Sequence, residues 1–373
     1  MENNTLKRHD RIVKVMSKNN LSAIIAMSLE NVYYSTGSYI VTQKDIRDRL
    51  EIAIFSENHE PTFIICGIEE QLVKSTTWIN NIITYVEFKE SPINILIDLI
   101  KKMGIGNNRI GIEMQFLGAS EYISLTKGLP NAEFVDSKHV FDEVRMIKEP
   151  REIEILARGA NGTRKSIEAA FIACNIGDTE KILANKMITN LFHQGADELQ
   201  FLNLASGERT LLSHPIADQT KLKEGDIVKV DFGGVFTGYF SDIARTAVVG
   251  KPSIIQADIY KKLIHIEKEL IDKLKIGVKA SSIYKKCEEL FNKNGLPFTP
   301  PHIGHGLGIG IHEIPIINPL DETEFQENMV ICLEPVVTFQ GFGYHVEDTI
   351  QITKNGPKIL SGTKFNDQIP IID

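Results

Sequence analysis

The sequence has only four cysteines, a single tryptophan and no long uninterrupted run of apolar residues. The cysteines are far apart and form no CxxC pair, which argues against a disulfide framework or a zinc knuckle. No run approaches the roughly 18 apolar residues of a membrane span. The polar N-terminal segment lacks the apolar stretch of a signal peptide. We therefore expect free thiols and a cytoplasmic location.

A basic stretch is also lacking, and this bears on the partners of the protein. The 373 residues carry a formal net charge of −8 at pH 7, and 42% of them are hydrophobic. That composition is ordinary for a folded globular chain. Nucleic-acid binding usually depends on a basic patch that neutralises phosphates. We therefore expect neither a nucleic acid nor a membrane as partner.

Short apolar runs alternate with amphipathic patterns in the first 142 residues. Runs rich in Ile and Val, bounded by Gly, Asn or Pro, predict strands at 22–27, 51–56, 61–67 and 109–114. Spacings of three and four between apolar residues predict helices at 5–19 and 92–103. This alternation predicts a small α/β domain with a mostly parallel or mixed sheet over residues 1–142.

A charged segment that contains Pro150 predicts the start of a second domain, over residues 143–373. Pro150 suits the first turn of a helix, and the glutamates around it suit the positive end of the helix dipole. Helices are predicted at 151–174, 179–195, 254–275 and 280–294. Strands are predicted at 199–205, 227–232, 236–248, 329–338 and 344–353. Helices followed by strands, twice over, indicate a duplicated α+β architecture.

Two aspartates, Asp231 and Asp242, lie on either side of a predicted hairpin turn in the segment GGVFTG. Either residue alone could be a solvent-side aspartate at a strand end or in a turn. The hairpin would place the two carboxylates side by side, where they repel each other unless a cation lies between them. The pair therefore favours a metal site.

Three more side chains suit the same site. His305 lies in the glycine-rich segment PHIGHGLGIGIHE, which holds three of the ten histidines of the chain. Glycines allow the backbone to approach a ligand closely. Glu334 and Glu347 lie in apolar strand segments joined by a predicted turn at 341–343, and a buried unpaired carboxylate there would be costly. Four carboxylates and one imidazole form a ligand set for two divalent cations.

The ordered segments VDFGG, SDIART, HIGHGLGIGIHE, LEP and VEDT resemble those of the pita-bread metallopeptidases, which include methionine aminopeptidase, aminopeptidase P and prolidase. The resemblance covers residues from about 150 to 373. The preceding residues are similar to the creatinase-type N-terminal domain of the prolidase and aminopeptidase P branch. The resemblance thus implies an α+β pita-bread catalytic domain after a smaller α/β domain, and it points to the proline-specific enzymes, because methionine aminopeptidases generally lack the front domain.

The resemblance also implies a role for each metal ligand. Asp231 would bind one ion, and Asp242 and Glu347 would bridge both ions. His305 and Glu334 would complete the shell of the second ion. Mn²⁺ is the expected ion, and Co²⁺, Fe²⁺ and Zn²⁺ are also compatible with this oxygen-rich set.

Four histidines outside the metal shell are expected in the substrate pocket. The resemblance implies that His214 holds the substrate, that His312 stabilises the scissile carbonyl and that His302 lines the pocket, although each could instead be structural. Many proline-specific members have an arginine two residues before the final glutamate, where this chain has His345. A histidine is shorter and mostly neutral near pH 7. Whether His345 makes the substrate contact of that arginine is therefore left open.

The activity implied by the resemblance is hydrolysis of the amide bond between an N-terminal residue and a following proline, in dipeptides or short peptides. A metal-bridging hydroxide would attack, with Glu334 as general base. A homodimer is also implied. Two alternatives stay open: a related amidohydrolase acting on a non-peptide small molecule such as ectoine, and a non-catalytic binding protein of the same fold.

Overall fold

The computed structural model describes residues 2–46, 48–362 and 366–373. They form two compact units, one ending at Arg145 and one running from Met146 to Asp373. The domain limits 1–142 and 143–373 stay a prediction. None of the helices in these described ranges is long and apolar enough to cross a membrane.

The first unit is built on a six-stranded mixed sheet. Its strands are Ala23–Ala26 (β1), Ile52–Ser56 (β2), His59–Cys66 (β3), Asn81–Tyr85 (β4), Arg109–Ile112 (β5) and Glu133–Asp136 (β6). Their order is β4-β3-β2-β1-β5-β6. The pairs β1–β2 and β2–β3 are antiparallel and the other three are parallel. The helices are Glu2–Lys18 (α1), Leu29–Thr36 (α2), Val41–Asp45 (α3), Glu70–Thr76 (α4), Pro92–Lys102 (α5), Ala119–Gly128 (α6) and Lys138–Met146 (α7).

The second unit contains four long helices and three sheets. The helices are Pro150–Ala173 (α8), Glu180–His193 (α9), Ile254–Ile271 (α10) and Ala280–Lys293 (α11). The strands are Glu198–Ser206 (β7), Ile227–Phe236 (β8), Tyr239–Phe240 (β9), Ile243–Val249 (β10), Gly304–Gly306 (β11), Glu313–Ile316 (β12), Val330–Leu333 (β13), Val336–Phe339 (β14), Phe342–His345 (β15), Asp348–Gln351 (β16), Lys358–Ile359 (β17) and Ile371–Ile372 (β18). The sheet orders are β18-β10-β8-β7 with β9 on β8, β12-β11-β13-β16-β17, and β14-β15.

Local sequence explains where the long helices begin. Pro150 occupies the first turn of α8, and Glu149 and Glu152 form a reciprocal capping box around it. Ser253 and Gln256 form the same arrangement at the start of α10. These caps satisfy backbone N–H groups that have no partner within the helix.

The duplicated α+β arrangement predicted from the sequence is present in the second unit. One core packs α8 and α9 against β8 and β10, around residues such as Met187 and Phe232. The other packs α10 and α11 against β13 and β16, around residues such as Leu263 and Ile331. Turns with glycines at positive φ, Gly177 at 91° and Gly277 at 81°, precede the second helix of each pair.

Each of the two late strand segments is interrupted, whereas the sequence predicts two continuous strands with an end of regular pairing only at Pro335. The predicted strand 329–338 divides into β13 and β14 at Glu334 and Pro335, and the predicted strand 344–353 divides into β15 and β16. Pro335 has no N–H for a ladder hydrogen bond, which explains the first break. The hairpin turn lies at Gln340 and Gly341, before β15 begins at Phe342.

Candidate metal centre and substrate pocket

The register of the β8–β10 hairpin positions the two aspartates. Asp231 pairs with Ala244 and not with Asp242, so the predicted side-by-side arrangement was wrong in register. The turn is a tight one at Thr237 and Gly238, both with positive φ, and it fixes this register. Asp242 lies just before β10, two residues from Ala244. Because residues two apart along an extended chain face the same way, the aspartates are diagonal neighbours on one face.

His305 occupies the middle of the short strand β11, between β12 and β13. A Cβ atom at Gly304 would lie 2.4 Å from the Cys332 carbonyl oxygen, and one at Gly306 would lie 2.5 Å from that of Ile314. The flanking glycines therefore allow two strands to close around the imidazole, which is 1% exposed. The His305 Nε2 atom lies 3.6 Å from both Asp242 Oδ2 and Glu334 Oε1.

Glu334 and Glu347 lie at the two strand interruptions, beside the aspartates. The Glu347 N–H donates a hydrogen bond to the Ala244 carbonyl at 3.1 Å, which ties this glutamate to β10. Within the described residues, one buried carboxylate oxygen each of Asp231, Asp242, Glu334 and Glu347 has no hydrogen-bond donor. Several unpaired carboxylate oxygens in one buried place are destabilising without positive charge. The donor set therefore fits divalent cations.

The electrostatics of the carboxylates support the same conclusion. Burial, together with the neighbouring carboxylates, raises the pKa of Asp242 and Glu347 well above the ordinary range. Burial also raises the pKa of Asp231. Cations at this centre would offset that repulsion and hold the carboxylates in their ionised form.

Cys332 also lies at the centre. Its Sγ atom and ligand atoms of Asp242, His305 and Glu347 all lie within 4.8 Å of one another. Burial raises the pKa of the Cys332 thiol well above its usual value. Because metals bind the thiolate, the protonated thiol is better described as part of the wall of the site.

Glu334 has the opposite electrostatic character. Burial raises its pKa, but nearby imidazoles lower it more, and the result is a pKa well below the ordinary range. His302 Nδ1 lies 3.2 Å from Glu334 Oε1, and His345 Nε2 lies 3.5 Å from Glu334 Oε2. Interaction with Glu334 in turn raises the pKa of His302. Glu334 is therefore ionised at neutral pH.

The histidines predicted for the substrate pocket gather on one side of the centre. The ring centroids of His305 and His312 are 4.1 Å apart, and those of His302 and His312 are 5.8 Å apart. Burial lowers the pKa of His312, and it lowers that of His305 to about 4. Both rings are therefore neutral near pH 7, and a neutral ring retains one N–H donor. His214 lines the same cavity from the exposed segment after β7.

This cavity has a volume of about 660 Å³ and contains residues that the sequence analysis did not assign to the site. Asn203 lines it and donates a hydrogen bond from Nδ2 to Asp231 Oδ2 at 3.4 Å. Lys229 also lines it, from a position on β8 two residues before Asp231. Burial lowers the pKa of Lys229, and the charge of Asp231 opposes that effect. The available sequence signal is that side chains alternate along a strand, so that Lys229 and Asp231, two residues apart, share a face.

A buried ion pair that no sequence pattern predicts supports the loop that carries His312. Lys148 Nζ lies 2.8 Å from Glu313 Oε2, and the two side chains are 1% and 5% exposed. Glu313 Oε1 accepts a hydrogen bond from the Gly310 N–H at 3.0 Å. A Cβ atom at Gly308 would lie 2.6 Å from the Glu313 carboxylate. The glycines of this loop thus let it wrap around a buried carboxylate beside His312.

A duplicated α+β unit with a carboxylate-rich centre and a histidine-lined cavity defines a metal-dependent hydrolase. The model of metallopeptidase family M24 matches residues 154–354, and that of the creatinase/prolidase N-terminal domain matches residues 8–147. The chain belongs to metallopeptidase family M24. These matches confirm the predicted family and the order of its two domain types.

Individual relatives agree with this assignment. The chain is 30% identical to a Xaa-Pro dipeptidase from Pyrococcus furiosus over 96% of this chain and 98% of that protein. Its structure is similar to that of a prolidase from Pyrococcus horikoshii, with a TM-score of 0.84, 27% identity and coverage of 96% and 99%. An X-Pro aminopeptidase from Thermotoga maritima has the same fold, with a TM-score of 0.84 and 22% identity over 98% and 100% of the two chains. The predicted pita-bread fold is confirmed.

Proposed function

We propose that the protein hydrolyses the amide bond between an N-terminal residue and a following proline, in a centre that holds two divalent cations. The observation that carries this proposal is the grouping of carboxylates around His305: Asp242 and Glu334 each lie 3.6 Å from its Nε2 atom, ligand atoms of Glu347 lie in the same cluster, and Asp231 lines the same cavity. The Xaa-Pro dipeptidase and prolidase among the relatives support the choice of substrate. The proposed ligands are Asp231, Asp242, His305, Glu334 and Glu347, and the proposed ions are Mn²⁺ or, as alternatives, Co²⁺, Fe²⁺ or Zn²⁺.

Two cations bound there would supply a nucleophile from water at neutral pH and positive charge against the developing oxyanion. Side chains of the protein would supply the proton transfer and the hydrogen bond to the carbonyl oxygen. Glu334, whose Oε1 atom lies 3.6 Å from His305 Nε2 at the centre, would accept the proton of the attacking water and pass it to the leaving amine. His312 donates its N–H to the carbonyl oxygen of the scissile bond.

The residues that line the cavity would bind the substrate. His214 and His302 provide polar contacts on the side of His312. Phe201, Ile311 and Val336 line the same cavity and offer an apolar surface for a proline ring. His345 lies against Glu334 and orients this carboxylate.

The proposal is tested by mass-spectrometric detection of products after loading with Mn²⁺. The substrates are Ala-Pro, Ala-Pro-Pro, Met-Ala-Ser and ectoine. We expect cleavage of Ala-Pro, and Asp231→Asn should abolish both turnover and full metal loading. The matched control is Asp258→Asn, because Asp258 is an exposed aspartate on α10 that pairs with Lys262 four residues away.

The outcomes separate the candidate activities. Cleavage of the tripeptide alone would indicate an aminopeptidase of the X-Pro type. Turnover of ectoine alone, with two equivalents of metal bound, would replace the peptidase proposal by the small-molecule amidohydrolase. A fully active Asp231→Asn variant would refute the ligand set. The homodimer and the cytoplasmic location remain predictions.

A further inference from the structure

We propose that Lys229 binds the free carboxylate of the residue that follows the scissile bond, and that it thereby makes dipeptides the preferred substrates. This inference rests on the proposed function and adds the feature that selects peptide length. Dipeptides carry a carboxylate one residue beyond the scissile bond, whereas longer peptides carry an amide there.

The position of Lys229 is the first argument. It lies on β8, two residues before Asp231, and only 7% of its surface is exposed. It is the one lysine or arginine among the described residues that line the cavity. The carboxylates of the metal centre line the same cavity, and the cations would neutralise them. An anionic end of a substrate would therefore meet the lysine ammonium in this part of the structure.

The ammonium group of Lys229 has an incomplete set of hydrogen-bond partners. Nζ donates a hydrogen bond to the Leu212 carbonyl oxygen at 2.7 Å. Within the described residues, no carboxylate lies within ion-pair distance of Nζ. An ammonium has three protons to donate, and burying it without an anion is costly. A bound carboxylate would satisfy the remaining donors and offset that cost.

The neighbouring strands hold the Lys229 side chain in a defined direction. A Cβ atom at Gly343 would lie 3.6 Å from Lys229 Cδ, so β15 supports the aliphatic stem. Thr246 pairs with Lys229 across β8 and β10, and its hydroxyl bonds to the backbone N–H and C=O of His345. Lys229 and His345 therefore belong to adjoining parts of the wall. Because the His345 ring contacts Glu334, Lys229 is the side chain of this wall that we expect to supply positive charge to a substrate carboxylate.

A competing role exists for Lys229, because Leu212 belongs to the segment that carries His214. The ammonium could serve only to anchor this segment. Anchoring would affect every substrate equally, whereas carboxylate binding affects only substrates with a free carboxylate. A comparison of Ala-Pro with its C-terminal amide, Ala-Pro-NH₂, separates the two roles.

The experiment measures kcat/KM and KM for both substrates with the Mn²⁺-loaded full chain. In the wild-type protein we expect Ala-Pro to exceed the amide by about 10- to 100-fold, as for one hydrogen bond to a charged group. Lys229→Met should reduce this ratio to about one through a higher KM for Ala-Pro, with little change for the amide. Lys229→Arg should retain most of the ratio. Lys223→Met, in the exposed turn before β8, is the matched control.

Each other result contradicts the inference in a distinct way. Equal rates for acid and amide in the wild-type protein would overturn it without any variant, and this holds even if Lys229→Met does not fold. Equal losses for both substrates in Lys229→Met would assign the residue to anchoring His214. If the wild-type protein cleaves neither substrate, the proposed function fails first and the inference falls with it.

Discussion

Glu51, immediately before strand β2 of the first unit, is a buried carboxyl group whose ionisation should control the pH stability of that unit. Its side chain is inaccessible, and one oxygen accepts a hydrogen bond from the Cys66 N–H at 3.0 Å. The other oxygen has no donor among the described residues. Burial raises the pKa of Glu51 from 4.5 to about 9. The group is therefore protonated in the folded protein at neutral pH and ionised in the unfolded chain.

The sign and size of the effect follow from this difference. The folded state holds a proton that the unfolded state has lost, so the free energy of unfolding falls as the pH rises from about 4.5 to about 9. Each pH unit in that window removes about 1.4 kcal/mol, which amounts to about 3 kcal/mol at pH 7. Glu51→Gln keeps a hydrogen-bond acceptor and cannot ionise. We expect the variant to be more stable than the wild type at pH 8 and equal to it near pH 4.5.

The assay is urea unfolding between pH 5 and pH 8.5, followed by tryptophan fluorescence. Trp78 is the sole tryptophan of the chain and lies in the same unit, where its indole N–H donates to the Ser35 carbonyl at 2.9 Å. The signal therefore reports on this unit. Glu57→Gln, at an exposed turn position, is the control and should follow the wild type. The same pH dependence in the wild type and in Glu51→Gln would refute the reasoning.

Three further predictions concern the second unit. Arg245→Met should lower its free energy of unfolding by about 3 to 5 kcal/mol, because the buried Asp348 would lose a partner at 2.7 Å; chemical denaturation measures this, with Lys261→Met, at an exposed position of α10, showing little change. Ser253→Ala should cost about 1 kcal/mol, because the Ser253 hydroxyl accepts the Gln256 N–H at the start of α10; a variant as stable as the wild type would contradict the capping role. Chelation should lower the calorimetric unfolding temperature, because the buried carboxylates then repel each other; Mn²⁺ should restore it, and Asp231→Asn should show a smaller shift.

Local rules account for the parts of the fold that were predicted well. The helices α8, α9, α10 and α11 begin within a residue of their predicted starts, because capping residues and apolar spacing act over a few neighbouring positions. Four of the six strands of the first unit, β1, β2, β3 and β5, were predicted from the same kind of signal, since β-branched runs bounded by Gly, Asn or Pro are short-range patterns, whereas β4 and β6 were not predicted. The family resemblance supplied the fold of the second unit.

Strand register and strand breaks were not predictable in the same way. The expected pairing of Asp231 with Asp242 missed by two residues, because a two-residue turn at Thr237 and Gly238 sets the register and several turns were compatible with the segment. Pro335 is a local signal for the break after Glu334, but the change of pairing partner there, from β16 for β13 to β15 for β14, is not a local property. Such changes depend on chain segments that are remote in sequence.

The sequence by itself determined which chemical groups the centre contains: four carboxylates and an imidazole, in an order that identified the family. Only the tertiary structure decided what surrounds them. It placed Lys229 in the cavity wall, and it paired Lys148 with Glu313, which lies 165 residues further along the chain. The physical reason is that identity and local conformation are encoded by neighbouring residues, whereas burial, charge pairing and the direction of a side chain depend on which distant segments pack against it.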